Sequence, residues 1–88
     1  MKHAGPDALA RLPRILERLR AYPQLKEKSL GVFYLKARAF LHFHEDRAGL
    51  FADVRSANDG DFDRFKVDDS TGAEALFLFV EGQLSRLS

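Results

Sequence analysis

Apolar positions recur at helical spacing near the start of the chain. They are Leu9, Leu12, Ile15, Leu16 and Leu19. Pro13 cannot lie deep inside a helix, because it has no N–H and its ring clashes with the preceding turn. We therefore predict a short first turn with Asp7 as its N-cap, followed by a main helix that starts near Pro13 and ends before Pro23. Residues 24–29 are predicted to form a charged connector.

From residue 31 onward the pattern is that of strands. Residues 31–36 are rich in β-branched and aromatic side chains, and residues 39–45 and 50–55 alternate between apolar and polar. Residues 56–61 carry the strongest turn signal of the chain, and residues 62–67 are predicted to form a short fourth strand. Short links between successive strands predict an antiparallel meander.

The last part of the chain has the pattern of a second helix. Thr71 and Glu74 have the spacing of a capping box. The apolar stripe that follows consists of Leu76, Phe77, Val80, Leu84 and Leu87. The order α-β-β-β-β-α predicts one α+β domain over residues 1–88, with an N-terminal and a C-terminal helix packed on a four-stranded antiparallel meander.

The hairpin between the second and third predicted strands has a register that its two faces decide. With residues 46–49 as the loop, Leu41 faces Val54 and Phe43 faces Ala52, which makes one face apolar. A loop one residue longer mixes polar and apolar side chains on both faces, so we predict the four-residue loop. The side chains predicted to be most buried are Leu16, Leu19, Leu41, Phe43, Ala52, Val54, Phe77, Val80 and Leu84.

The composition narrows the classes of protein to consider. Hydrophobic residues make up 45% of the chain and charged residues 31%, as in globular domains. The chain has no cysteine, which excludes disulfides, thiol nucleophiles and thiolate zinc sites. A net charge of +1 argues against a general binder of nucleic acid. No apolar run approaches the ~20 residues of a membrane helix, so we expect no membrane contact. We also expect no cofactor.

The His-x-His pattern at His42 and His44 is the strongest candidate for chemistry. Alternate residues of a strand share a face, so these imidazoles lie about 6–7 Å apart along it. Asp53 across the hairpin and Asp46 at its turn are the candidate further ligands of a metal site. His3 is expected to lie in a frayed chain end, however, and no other histidine is predicted on a neighbouring strand.

A structural pair is the alternative interpretation, and the sequence favours it. In the predicted register His42 lies opposite Asp53, so the imidazole can donate a hydrogen bond to the carboxylate while His44 lies over Phe51. The carboxylate would then raise the pKa of His42. No serine of the chain has the glycine context of a nucleophile, so no catalytic residue is assigned. The sequence leaves open whether the protein is an enzyme, and the balance is against one.

The second face of the hairpin suggests a partner. This face is predicted to carry Phe40, His42, His44, Phe51, Asp53 and Arg55. Two helices cover only one face of such a sheet, and several aromatic side chains are too apolar to remain exposed. We therefore expect a small binding or self-association module that forms a homodimer through this face, at Phe40, Phe51 and Arg55. The alternative is a metal-binding protein or small enzyme centred on His42, His44 and Asp53.

Three segments carry a resemblance to known proteins. Residues 31–34, 38–46 and 48–55 resemble a group of small bacterial proteins to which no activity is assigned. The chain is also distantly similar to the small luciferase-like α+β domain, which has a similar His-x-His strand before a hairpin. The resemblance extends over about residues 12–87 and implies a bacterial cytoplasmic protein, with no implication for substrate.

Overall fold

A computed structural model describes residues 2–56 and 61–87, with only the backbone of Lys2 and Leu87. The elements in chain order are β1 (Lys2–His3), α1 (Pro6–Leu9), α2 (Pro13–Arg20), β2 (Leu25–Ser29), β3 (Val32–Leu35), β4 (Arg38–Asp46), β5 (Gly49–Arg55), β6 (Phe62–Lys66) and α3 (Ser70–Leu87). This is the predicted α+β class, and α2 begins and ends where the two prolines indicate. Most of the turn predicted over 56–61 lies outside the described residues.

The sheet has one more full strand than the sequence predicts. Five antiparallel strands lie in the order β2-β3-β4-β5-β6, and the two-residue β1 pairs with β4. The segment predicted as a charged connector is strand β2, in which only Leu25 is a buried apolar side chain and lies opposite Leu35. An edge strand with charged side chains lacks the apolar alternation by which strands are recognised.

The predicted hairpin register is confirmed. Leu41 lies opposite Val54 and Phe43 opposite Ala52, and all four side chains are buried in the core. The ladder continues to the end of both strands, so the connection has two unpaired residues, 47 and 48, rather than the predicted four. The register therefore follows from the apolar face, and the loop is two residues shorter than predicted.

A β-bulge interrupts the alternation of β4. Phe33 lies opposite Leu41 but Tyr34 lies opposite Ala39, so Phe40 is an extra residue on its strand. Phe40 and Leu41 are consecutive and both belong to the core, with Phe40 only 2% exposed. The prediction that Phe40 lies on the second face is therefore wrong, because a period of two does not anticipate a bulge.

The core lies between the helices and one face of the sheet. Every side chain predicted to be most buried is buried. Three large apolar side chains of the described residues remain exposed: Leu30 is 52% exposed, Phe62 on β6 is 38% exposed and Leu78 on α3 is 75% exposed. Within the described residues, no helix is both long and apolar enough to span a bilayer.

Both predicted helix caps are wrong. Gly5 is the N-cap of α1, and Asp7 lies inside its first turn. At the start of α3 the Oδ1 atom of Asp69 accepts the backbone N–H of Gly72 at 2.7 Å, so Asp69 caps this helix and Thr71 lies within it. In each case the residue that caps the helix lies two positions before the predicted one, and the spacing of residues does not distinguish the two.

Candidate metal centre

Strand β1 brings a third histidine to the predicted pair. His3 lies opposite His44 on β4, and the following backbone is held by two hydrogen bonds. The N–H of Ala4 donates to the carbonyl of Phe43 at 3.0 Å, and the N–H of Gly5 donates to Oε2 of Glu45 at 3.0 Å. The expectation that His3 is frayed and has no histidine neighbour is therefore wrong.

The three imidazoles form one cluster. The ring centroids of His42 and His44 are 4.7 Å apart, those of His3 and His44 are 4.8 Å apart, and those of His3 and His42 are 5.5 Å apart. One ring nitrogen from each lies within 4.8 Å of the other two. His3 is exposed and the other two are partly buried, so the cluster is open to solvent on one side.

Asp53 binds partners other than the predicted one. Its backbone lies opposite His42, as predicted, but Nδ1 of His44 donates to its Oδ2 at 3.0 Å. Arg64 from β6 holds the same carboxylate with two hydrogen bonds, Nε to Oδ1 at 2.8 Å and Nη2 to Oδ2 at 2.9 Å. These hydrogen bonds from Arg64 are the main reason why the pKa of Asp53 lies below its ordinary value.

The predicted effect on His42 is wrong as a result. Its Nδ1 atom is buried and has no hydrogen-bond partner among the described residues. Burial lowers the pKa of His42, the neighbouring His44 lowers it further, and the Asp53 carboxylate only partly opposes them. The ring packs edge-on against Phe62, with centroids 5.0 Å apart.

His44 is oriented by the Asp53 carboxylate, and its pKa lies below its ordinary value. Burial lowers its pKa and outweighs the favourable charge of Asp53. In the neutral ring the proton on Nδ1 faces Asp53, which leaves the lone pair on Nε2. A carboxylate that fixes the tautomer in this way is the usual outer partner of a histidine that binds a metal.

The other predicted site residues lie outside the cluster. Asp46 is exposed at the turn, where its Oδ1 accepts the N–H of Ala48 at 2.8 Å. Phe51 is partly exposed, and Arg55 lies over the Phe62 ring at 4.5 Å. Cavities of about 380 and 450 Å³ elsewhere on the molecule are lined by no histidine.

Such a cluster has the donors of a transition-metal site. Three neutral imidazoles with one open position are a known zinc-binding set, and zinc–nitrogen bonds of about 2.0–2.1 Å place tetrahedral ligands about 3.3 Å apart. The ring nitrogens lie up to 4.8 Å apart, so a metal would have to draw them closer together to reach that spacing. Nδ1 of His42, which is buried and has no hydrogen-bond partner among the described residues, is one of the two ring nitrogens that this histidine could offer a metal.

Sequence reasoning missed three contributors to this site. His3 precedes any recognisable strand pattern, and only the pairing of β1 with β4 places it beside His44. Arg64 and Phe62 are alternate residues of β6, so they share a face of the sheet. The predicted meander places β6 next to β5, and this adjacency could have indicated that both side chains lie near Asp53. Comparisons with protein-family models, curated proteins and solved structures found no match for this chain, and the luciferase-like resemblance stays a prediction.

Proposed function

We propose that this protein binds a divalent transition-metal ion through His3, His42 and His44. The observation that carries the proposal is the convergence of three imidazoles from two paired strands, with one nitrogen of each within 4.8 Å of the others. The lowered pKa of His42 and of His44 supports it, because only the neutral ring has a lone pair for a metal.

The donor set indicates which ions fit. Imidazole nitrogen suits zinc, cobalt, nickel and copper, whereas magnesium and calcium prefer oxygen ligands. Among the described residues the cluster contains only histidines. We therefore expect zinc or cobalt to bind and magnesium or calcium not to compete.

Cobalt(II) provides the test, because four-coordinate cobalt absorbs visible light strongly and six-coordinate cobalt weakly. Titration of the protein with cobalt should develop this absorption and saturate at one ion per chain. His3→Asn should weaken cobalt binding by roughly tenfold or more, since loss of a residue that only orients a ligand already costs 10–100-fold. His3 is exposed, so this change leaves the core intact.

All three histidines of the chain belong to the cluster, so the control must come from another residue type. Lys28→Asn is suitable, because Lys28 lies on edge strand β2, over the ring of Tyr34. This variant should bind cobalt as the parent protein does. Equal cobalt affinity in the parent and in His3→Asn would contradict the proposal.

We also propose self-association through the sheet face that bears the cluster, as a second candidate function. Phe62 is 38% exposed and Phe51 is partly exposed, which supports an apolar contact there without Phe40. Sedimentation equilibrium should then give a dimer mass that Phe62→Ser reduces to that of the monomer. A monomer mass for the parent protein at high micromolar concentration would contradict it.

A further inference from the structure

A crevice on the helix side of the sheet is a second candidate site. It has a volume of about 380 Å³ and lies between the segment that enters α2 and the segment that enters α3. Crevices of this size hold small organic molecules. The apolar part of its lining consists of Leu12, Pro13, Ile15, Leu50, Val67 and Ala73. A ligand is therefore expected to present an apolar group to this floor.

One rim of the crevice carries two arginines that have no partner. Arg11 and Arg14 line the crevice, are exposed, and form no hydrogen bond or ion pair with any described residue. The next two arginines along the chain differ, since Arg18 and Arg20 each form an ion pair with a glutamate. A guanidinium binds a carboxylate through two parallel hydrogen bonds. This rim therefore fits the carboxylate of a ligand.

The opposite rim is acidic. Asp68 has both oxygens occupied, since Oδ2 accepts the N–H of Leu50 and Oδ1 accepts a hydrogen bond from Lys66. Asp69 accepts the N–H of Gly72 through Oδ1, and its Oδ2 has no hydrogen-bond partner among the described residues. An exposed carboxylate with one such oxygen fits an ammonium group.

The backbone that carries both rims is fixed by hydrogen bonds. The N–H of Val67 donates to the carbonyl of Leu50 at 2.9 Å, and the N–H of Leu12 donates to the carbonyl of Leu9 at 2.9 Å. The crevice is therefore present before a ligand binds. Only the exposed side chains of its rims have to be ordered on binding, which keeps the entropic cost low.

We propose that this crevice binds an α-amino acid with an apolar side chain. Arg11 and Arg14 hold its carboxylate, Asp69 holds its ammonium, and its side chain lies on the apolar floor. A simple anion would meet the charge of Asp69 and a simple cation would meet two arginines, so a zwitterion matches both rims. The site is separate from the histidine cluster, which lies on the other face of the sheet.

Leucine is the probe, and titration of the ¹⁵N-labelled parent protein followed by NMR shows where it binds. The backbone amide signals of Arg14, Leu50 and Ala73, which line the crevice, should shift and saturate. The amide signal of Leu41, in the middle of β4, should not move.

Three analogues of leucine each lack one part of the ligand. Glycine lacks the apolar side chain, 4-methylpentanoate lacks the ammonium, and 3-methylbutylamine lacks the carboxylate. Each should bind at least about tenfold more weakly than leucine, because it loses either the apolar contact or a charge-assisted hydrogen bond. These titrations need only the parent protein.

Two variants assign the two rims. Arg11→Gln/Arg14→Gln should weaken leucine binding by about tenfold and should not weaken binding of 3-methylbutylamine. Asp69→Asn keeps an oxygen that can cap α3. It should weaken leucine binding by a similar factor and should not weaken binding of 4-methylpentanoate. Lys36→Gln/Arg38→Gln is the matched control, because it removes two exposed cations from the turn between β3 and β4. It should bind leucine as the parent does.

Several outcomes would overturn the amino-acid site. They are the absence of a saturating shift with leucine, shifts confined to residues outside the crevice, and binding of any of the three analogues as tightly as leucine. Parent-like leucine affinity in a folded Arg11→Gln/Arg14→Gln protein would overturn it too, and the same NMR spectra show whether that variant is folded. None of these results bears on metal binding, which the cobalt titration tests separately.

Discussion

Phe43 shows at the scale of one residue how the core depends on phenylalanine. Its side chain is 3% exposed and lies on the apolar face of the hairpin, beneath the helices. We expect Phe43→Ala to lower the free energy of unfolding by about 3–5 kcal/mol, through lost burial and the cavity that remains. Urea denaturation measures the change. Leu78→Ala is the control, since Leu78 is 75% exposed and its loss should cost less than about 0.5 kcal/mol.

Asp53 is expected to influence metal binding through His44, whose ring it orients. If the metal proposal holds, Asp53→Asn should weaken cobalt binding by about 10–100-fold, because the carboxylate no longer fixes the tautomer of His44. The variant also leaves Arg64 without its ion pair. Circular dichroism before the titration should show whether the Asp53→Asn variant is folded. Unchanged affinity in a folded Asp53→Asn protein would show that Asp53 does not orient a ligand.

At the scale of elements, helix α3 contains two glycines in opposite surroundings. A Cβ atom on Gly72 would collide with the backbone carbonyl oxygen of Lys66, at the end of β6. A Cβ atom on Gly82 would meet nothing within 4 Å. The first turn of α3 therefore packs directly on the sheet, whereas the turn around Gly82 does not.

This contrast predicts opposite effects for the same substitution. Gly82→Ala should raise the free energy of unfolding by about 0.5–1 kcal/mol, the usual gain in an exposed helix. Gly72→Ala should lower it by about 1–3 kcal/mol, because the backbone must shift. Thermal and urea denaturation of both variants give the comparison. If Gly72→Ala stabilised the protein, the close contact between α3 and β6 would not exist.

Glu27 joins three elements at the edge of the sheet. Its carboxylate accepts hydrogen bonds from Nε of Arg20 at 2.6 Å, at the end of α2, and from the N–H of Gly31 at 2.8 Å, in the turn before β3. The hydrogen bond from Arg20 is the main reason why the pKa of Glu27 lies below its ordinary value.

A carboxylate with a lowered pKa in the folded state stabilises the protein above its unfolded pKa, and this contribution is lost as the pH falls through the folded value. Glu27→Gln should therefore be less stable than the parent at pH 7, and the difference should shrink as the pH falls below the ordinary pKa of a glutamate and through the lower folded value. Urea denaturation at several pH values measures it. Glu74→Gln, an exposed change on α3, controls for the altered net charge. A difference independent of pH would contradict this role of the carboxylate.

The elements also show where sequence reasoning succeeds. The hairpin was predictable in its register because an apolar face permits only one alignment. Strand β2 was not, since one buried leucine in an edge strand gives no alternation. The bulge at Phe40 and the pairing of β1 depend on neighbours that the local pattern does not contain. The His-x-His pair was therefore found, while its third member and the true partners of Asp53 were not.

At the scale of the whole molecule, metal binding and folding should be linked. An ion that binds only the folded chain stabilises it by about 2.7 kcal/mol at a concentration one hundred times its dissociation constant. For a domain of this size we expect zinc to raise the melting temperature by about 10 °C or more. Differential scanning calorimetry with and without zinc measures the shift. His3→Asn should lose most of it, and an equal rise in that variant would exclude this site as the cause.

The short pairing of β1 with β4 has a consequence for the unfolded chain. His3 and His42 are about 40 residues apart in the sequence, so bringing them together in a disordered chain means closing a large loop. By the polymer relation used for cross-links, that closure costs about 4 kcal/mol of chain entropy. In the folded protein this chain entropy is already lost, because β1 is paired with β4. An unfolded or nascent chain would therefore bind the ion more weakly than the folded protein. A bound metal ion would indicate that β1 has paired with β4.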